Sequence, residues 1–191
     1  VKKTFAVAVT GASGAIYAVR TIRALLAGGH HVHLVMSKYG RYVIHEELDW
    51  APEGESFIDF LTRVGGDEVG NGTLEEHNVN DLTQSISSGS APVDGMVVVP
   101  CSAKTLSAIA HGSSSNLIER SADVTLKEKR PLVLVVRETP MNLIQLRNMV
   151  SVAEAGAAVL PGMPAFYQKP TSFEDLGDFI AGRALGLLGL D

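Results

Sequence analysis

The sequence predicts a single-domain α/β protein with an open, doubly wound, mainly parallel sheet and helices on both faces. Three observations predict it. Short apolar runs rich in valine alternate with stretches of helical period along the whole chain. These runs are apolar at successive positions, as strands covered on both faces must be. The connections between them are short, which with parallel strands implies right-handed crossovers. With 191 residues and no composition break, the chain is large enough to bury a substantial core as one domain spanning 1–191.

Strands are expected at 5–9, 32–36, 96–100, 132–136 and 157–160. Helical patterns lie near 14–27, 38–48, 56–64, 103–110, 117–128, 142–154 and 172–188. The first helix carries Ile16, Val19, Ile22 and Leu25 or Leu26 on one stripe and ends at Gly28-Gly29. The last opens at Thr171-Ser172, with Glu174 and Asp175 in its first turn. Gly65–Gly72 reads as a mobile surface loop, and Ser85–Ser90 as a second loop before the strand at 96–100. Pro100 is expected to stop the ladder of that strand.

Composition narrows the class. Hydrophobic residues make up 46%, and the mean hydropathy of +0.17 is high for a globular protein. A sheet buried on both faces or apolar surface hidden in an oligomer would account for it. No apolar run reaches the 18 or so residues of a membrane span. Val1-Lys2-Lys3-Thr4 passes directly into a strand, so no signal peptide is expected. The lone Cys101 excludes an internal disulfide and a multi-cysteine zinc site, and fits a reducing, cytoplasmic setting. A net charge of −5 argues against nucleic-acid binding while leaving room for a local basic cluster.

In sheets of the Rossmann or flavodoxin type, ligands sit outside the carboxyl ends of the strands. The first strand runs into Thr10-Gly11-Ala12-Ser13-Gly14 and then a helix. Gly11 and Gly14 lack the Cβ atoms that would hold an anion away, and the first N–H groups of the helix would face the pocket. The same turn also reads as plain packing. It has neither the G-x-G-x-x-G pattern nor a following Gly-Lys-Ser/Thr, so a mononucleotide phosphate is the better candidate. Ser37 follows the second strand, and Ser102 with Thr105 follows the strand at 96–100. Each hydroxyl is also what a helix cap requires, but their joint placement reads as a cofactor cleft.

The strand at 132–136 delivers Arg137-Glu138-Thr139-Pro140. The guanidinium suits a phosphate or a cofactor carbonyl, and a partly desolvated carboxylate can move a proton; a solvated ion pair is the alternative. Arg120 and Lys127, seven apart, share a helix face and would clamp an anion or merely be solvated. Tyr167, just before the last helix, and Arg183 within it would close a pocket lid or simply pack and solvate. His31 and His33 share one face of a strand as two metal ligands would, but no third ligand is evident, and no metal site is expected.

Together these segments resemble the UbiX-type flavin prenyltransferases, within the flavoprotein superfamily that includes homo-oligomeric flavin-containing cysteine decarboxylases. The similarity covers nearly all of 4–188 and is most specific at Thr10–Ile16, Pro100–Ser107, Asn116–Pro140 and Ala165–Pro170. Asn-Leu-Ile-Glu-Arg, Leu-Lys-Glu-Lys-Arg-Pro-Leu-Val-Leu and Val-Arg-Glu-Thr-Pro, in that order, are the strongest signature. The resemblance implies one FMN-binding domain and a metal-independent transferase. It would join a dimethylallyl group from dimethylallyl phosphate to N5 and C6 of reduced FMN, making prenylated FMN for UbiD-type decarboxylases. By position, Gly11, Ala12, Ser13, Ser37, Ser102, Ala103, Lys104, Thr105 and Arg137 would bind FMN. Arg120, Lys127, Tyr167 and Arg183 would hold the prenyl phosphate, with Arg120 and Lys127 also serving the chemistry. Glu138 would handle protons, and Ser13 would sit near the leaving phosphate.

Loop 85–90 and the Cys101-Ser102 corner would wall the pocket. Members assemble as dodecamers with sites at subunit contacts, which would account for the apolar surplus. Two departures stand out: the tryptophan-containing tail usual after the last helix is absent before Asp191, and 51–82 matches loosely, so nothing there is carried over. Two rivals remain. An FMN-dependent oxidative decarboxylase of cysteine-type substrates would need a histidine beside the flavin, for which His111 is the nearest and a poor candidate. A non-enzymatic FMN-binding regulator would not need the set Arg120, Lys127, Glu138, Tyr167 and Arg183.

Overall fold

The computed structural model describes residues 1–190. The first strand, β1 (Thr4–Val9), is apolar at every position after Thr4 because both of its faces are covered. Phe5, Val7 and Val9 point into one core, and Ala6 and Ala8 into the other. The remaining elements follow as α1 (Ala15–Ala27), β2 (His31–Met36), α2 (Lys38–Leu48), α3 (Phe57–Gly65), β3 (Thr73–His77), β4 (Gly95–Cys101) and α4 (Ala103–Ala110). Then come α5 (Leu117–Lys127), β5 (Leu132–Val136), α6 (Leu143–Glu154), β6 (Ala158–Val159) and α7 (Phe173–Leu187).

The six strands form one all-parallel sheet in the order β3-β2-β1-β4-β5-β6. This is the doubly wound Rossmann order, with its switch point between β1 and β4. One face packs on α1, α2, α3 and α7 through Ile22, Leu25, Ile44, Phe60 and Ile180. The other packs on α4, α5 and α6 through Leu106, Leu117, Ile118, Ala122 and Val152. Each fully buried leucine, valine or phenylalanine contributes roughly 1.5–3 kcal/mol, so the two cores together dominate the stability. No described helix is long and apolar enough to cross a membrane.

The predicted fold class and the seven predicted helices are present, with boundaries shifted by at most a residue. Two local expectations need correction. The stretch 65–72 is not a loose loop: Asp67–Asn71 forms a 3₁₀ turn with Val69 buried, and it leads into the edge strand β3, which the sequence did not suggest. Pro100 does not end β4, which continues to Cys101 with a register shift against β5 between Val98 and Cys101. Its carbonyl is used in place of the missing N–H, accepting from Thr10 N and from Thr10 Oγ1. The expected loop 85–90 is present and packs along α5, with Ile86 buried and Ser87 O and Gly89 O accepting from Arg120 and Arg130.

Candidate active site

The carboxyl ends of β1 and β4 lie side by side at the switch point. Thr10 ties the two ends together: its Oγ1 donates to Pro100 O at 2.7 Å and accepts from Ser102 N at 2.8 Å. A Cβ on Gly11 would lie 2.4 Å from Tyr39 Cβ, so this glycine lets the first turn of α2 close against the end of β1. Gly14, at φ +110°, is the residue before α1 and carries no side chain to cap it.

The cap comes from elsewhere. Gly14 N and Ala15 N donate to Glu47 Oε2 at 2.9 and 2.8 Å, from the last turn of α2. The expectation that these first N–H groups of α1 lie free for an anion is therefore corrected, because a carboxylate of the chain itself already holds them. Glu47 was not evident in the sequence, where Glu46-Glu47 looks like an ordinary solvated helix pair. Its reach back over α1 is a matter of how two helices cross.

Ser13 is exposed and lines a cavity of about 570 Å³ together with Tyr17, Glu47, Arg137 and Phe173. Ser37 caps α2, accepting from Gly40 N at 2.9 Å. Ser102 caps α4, accepting from Thr105 N at 3.2 Å and donating to Thr105 Oγ1 at 3.1 Å. The capping role is thus real for both hydroxyls, and both stand on the carboxyl edge of the sheet. In the first turn of α4, Ala103 N and Lys104 N have no partner among the described residues.

Beyond β5, Arg137 reaches into the same cavity as Ser13, and its guanidinium makes no ion pair among the described residues. Glu138 beside it is half-buried, with Oε1 accepting from Thr139 N at 3.1 Å. Tyr17 stands between Arg137 and Glu47. Burial pushes its phenol above the usual range, an effect that Arg137 opposes and Glu47 reinforces. No histidine lines this cavity among the described residues. His111 sits at the exposed end of α4, its Nδ1 2.8 Å from Ser107 O.

The other predicted residues lie apart within one chain. Tyr167 and Arg183 share a second cavity of about 610 Å³, with Lys169, Asp175 and Asp178 on its walls. Both are exposed. Asn116 caps α5, and the buried Glu119 carboxylate accepts from Ser115 N and Asn116 Nδ2, which closes the turn leading into that helix. Arg120 follows on α5, where Nε donates to Ser87 O and Nη1 to Asp123 Oδ2, both at 3.1 Å. Lys127 pairs with Glu128 at 3.3 Å. Neither lines the Ser13–Arg137 cavity, and neither do loop 85–90, Ser37 or the segment Cys101–Thr105, all of which lie outside its lining.

Residues 1–185 match the family model described as Flavoprotein. The chain is 46% identical over 191 residues to the flavin prenyltransferase UbiX of Halalkalibacterium halodurans, covering all of this chain and 90% of that protein. It superposes on the crystal structure of AnUbiX in complex with FMN and dimethylallyl pyrophosphate with a TM-score of 0.87 at 45% identity, covering 100% of this chain and 94% of the other. A dodecameric FMN-dependent UbiX-like decarboxylase from Escherichia coli O157:H7 superposes with a TM-score of 0.85 at 38% identity, covering 98% and 96%. The similarity spans the whole chain, and the chain belongs to the flavoprotein family, among its UbiX-type flavin prenyltransferases.

Proposed function

We propose that this chain joins the dimethylallyl group of dimethylallyl phosphate to N5 and C6 of reduced FMN, without a metal in the chemistry, and so makes prenylated FMN for a UbiD-type decarboxylase. The observation that carries this reading is the Ser13–Arg137 cleft at the switch point, in a chain 46% identical to a flavin prenyltransferase over its whole length. The cleft fits FMN. It offers Arg137, which has no counter-ion among the described residues; outside the cavity's own lining, the same carboxyl edge of the sheet presents two N–H groups without described partners at the start of α4 and the hydroxyls of Ser37, Ser102 and Thr105. Gly11, Ala12, Ser13, Ser37, Ser102, Ala103, Lys104, Thr105 and Arg137 are the residues we assign to it.

Reduced FMN, when bound, supplies the nucleophilic edge that takes the prenyl carbon. The chain's own part is to hold the donor dry and in line, and to receive the leaving anion in a preorganised cationic setting. We assign that anion to Arg120, Lys127, Tyr167 and Arg183, with Ser13 donating a hydrogen bond to it. Glu138, half-buried next to Arg137, would handle the protons of ring closure, in which the alkene carbon next to the new bond gains one and C6 loses one.

Arg120 and Lys127, and Tyr167 with Arg183, lie outside the Ser13 cavity of their own chain, so this assignment requires neighbouring copies. Exposed apolar side chains support such an assembly: Met163, Phe166 and Phe173 are 66%, 73% and 78% exposed, and Leu143, Ile144 and Val150 stand on the outer face of α6. We propose a homo-oligomer, dodecameric like the E. coli relative, working in the cytoplasm, where the buried Cys101 would stay a free thiol. The test is anaerobic incubation with reduced FMN and either dimethylallyl phosphate or the pyrophosphate, followed by mass spectrometry of the flavin. A flavin heavier by one dimethylallyl unit is expected with the monophosphate. An unchanged flavin mass with both donors would overturn the assignment.

A further inference from the structure

We infer that His31, His33, Glu75 and His77 form a site for one divalent transition-metal ion of the zinc class, which staples the edge strand β3 to β2. Register brings the four together. His33 pairs with Glu75 and His31 with Thr73 across the two strands, and the period of two puts His31, His33, Glu75 and His77 on one face. The ligand atoms of His31, His33 and Glu75 lie within 4.8 Å of one another. Glu75 Oε2 is 3.5 Å from His31 Nε2 and 3.4 Å from His33 Nδ1, and its Oε1 is 3.8 Å from His77 Nε2. Tetrahedral zinc with bonds of about 2.0–2.1 Å sets its ligand atoms roughly 3.3 Å apart. The two edges from Glu75 Oε2 are therefore near the required length. His77 faces the other carboxylate oxygen and stands outside the three-residue cluster; its Nε2, 2.8 Å from His33 Nδ1 in a hydrogen bond, has to move off that bond and toward the ion to complete the set.

Outer contacts aim the ligands. His77 Nδ1 lies 2.9 Å from Gln84 Oε1, and Gln84 is itself oriented by donating from Nε2 to Asp81 Oδ2 at 2.5 Å. This makes Nδ1 of His77 the protonated nitrogen and leaves the Nε2 lone pair facing the cluster, the second-contact arrangement usual for metal-bound histidine. His31 Nδ1 is likewise occupied by Thr73 Oγ1 at 2.6 Å, which leaves Nε2 for the ion. His33 then donates from Nδ1 to His77, and binding asks only that this proton move to Nε2 of the same neutral ring. Three imidazoles and one carboxylate suit zinc and its neighbours rather than magnesium or calcium, which take oxygen ligands. The site is separate from the cleft: His33 stands four residues before Ser37, roughly 13 Å along the strand, and none of the four lines the Ser13 cavity.

The experiment is titration of the EDTA-stripped full-length protein with zinc chloride by calorimetry, with elemental analysis after dialysis and visible spectra after cobalt(II) substitution. One ion per chain and the intense bands of four-coordinate cobalt are expected. The double variant His31→Ala/Glu75→Gln changes only partly or largely exposed positions, so it should fold, and it should bind at least about tenfold more weakly; Gln84→Ala should cost about 10–100-fold by freeing the His77 ring. Less than one ion per chain, octahedral cobalt spectra, or unchanged zinc affinity in the double variant would each overturn the site.

Discussion

Replacing Glu47 by alanine removes a helix cap that is supplied from a different helix. Gly14 N and Ala15 N both end on Glu47 Oε2, and Gly14 N also reaches Oε1 at 3.3 Å. Gly14 has no side chain to substitute for it. Loss of a cap costs about 0.5–2 kcal/mol, and loss of a carboxylate at a helix N-terminus about 0.3–1 kcal/mol. The two overlap because one carboxylate does both, so a loss of roughly 1–2 kcal/mol is expected. At about 2–4 °C per kcal/mol for a chain of this size, Tm should fall by roughly 2–8 °C. Glu47→Gln keeps an acceptor and loses the charge, and should fall about half as far.

Thermal unfolding followed by circular dichroism in phosphate-free, low-salt buffer measures both variants. Adding inorganic phosphate should then raise Tm more in Glu47→Ala than in the parent, because an oxyanion can take the vacated N–H groups. If Tm stays within about 1 °C of the parent in both variants, and phosphate affects parent and variant alike, the capping argument is wrong.

Glu138→Gln should leave FMN bound while stalling turnover; loss of FMN with normal chemistry in the residual holoenzyme would contradict the proton-transfer role. Cys101 is fully buried, and burial pushes its thiol up to about 12, so the native protein should not react with a thiol reagent near pH 8 and should titrate as one thiol once unfolded. In the metal-free protein, burial first, then His31 and His77, push His33 down to about 4. The unfolded imidazole charges near about 6.5, so between these values the unfolded state binds more protons and stability falls as pH drops; above that window this contribution is flat. Denaturant midpoints measured in EDTA across the window check this, and His33→Asn should flatten the fall.

The central strands were legible because burial on both faces leaves an unbroken apolar run: Phe5–Val9 and Leu132–Val136 appear in the structure as the sequence predicts. Strand β3 was not, since Thr73-Leu74-Glu75-Glu76-His77 lies at the sheet's edge and its composition carries no apolar period. Pro100 misled for a related reason. A proline forfeits only its N–H, and here the carbonyl supplies the tie to Thr10. The strand-end residues Ser13, Ser37, Ser102 and Arg137 could be placed on one edge because parallel topology alone puts them there.

Local sequence alone determined the layers, the strand ends that carry polar groups, and the family. Tertiary structure decided which groups meet across helices and strands. Glu47 reaches the start of α1 only because α2 crosses behind it, at a separation of 33 residues. His31 and His33 gain Glu75 and His77 only through parallel register with a strand more than 40 residues away. Such contacts depend on the crossing of elements and on pairing register, neither of which hydrophobic period or local spacing encodes.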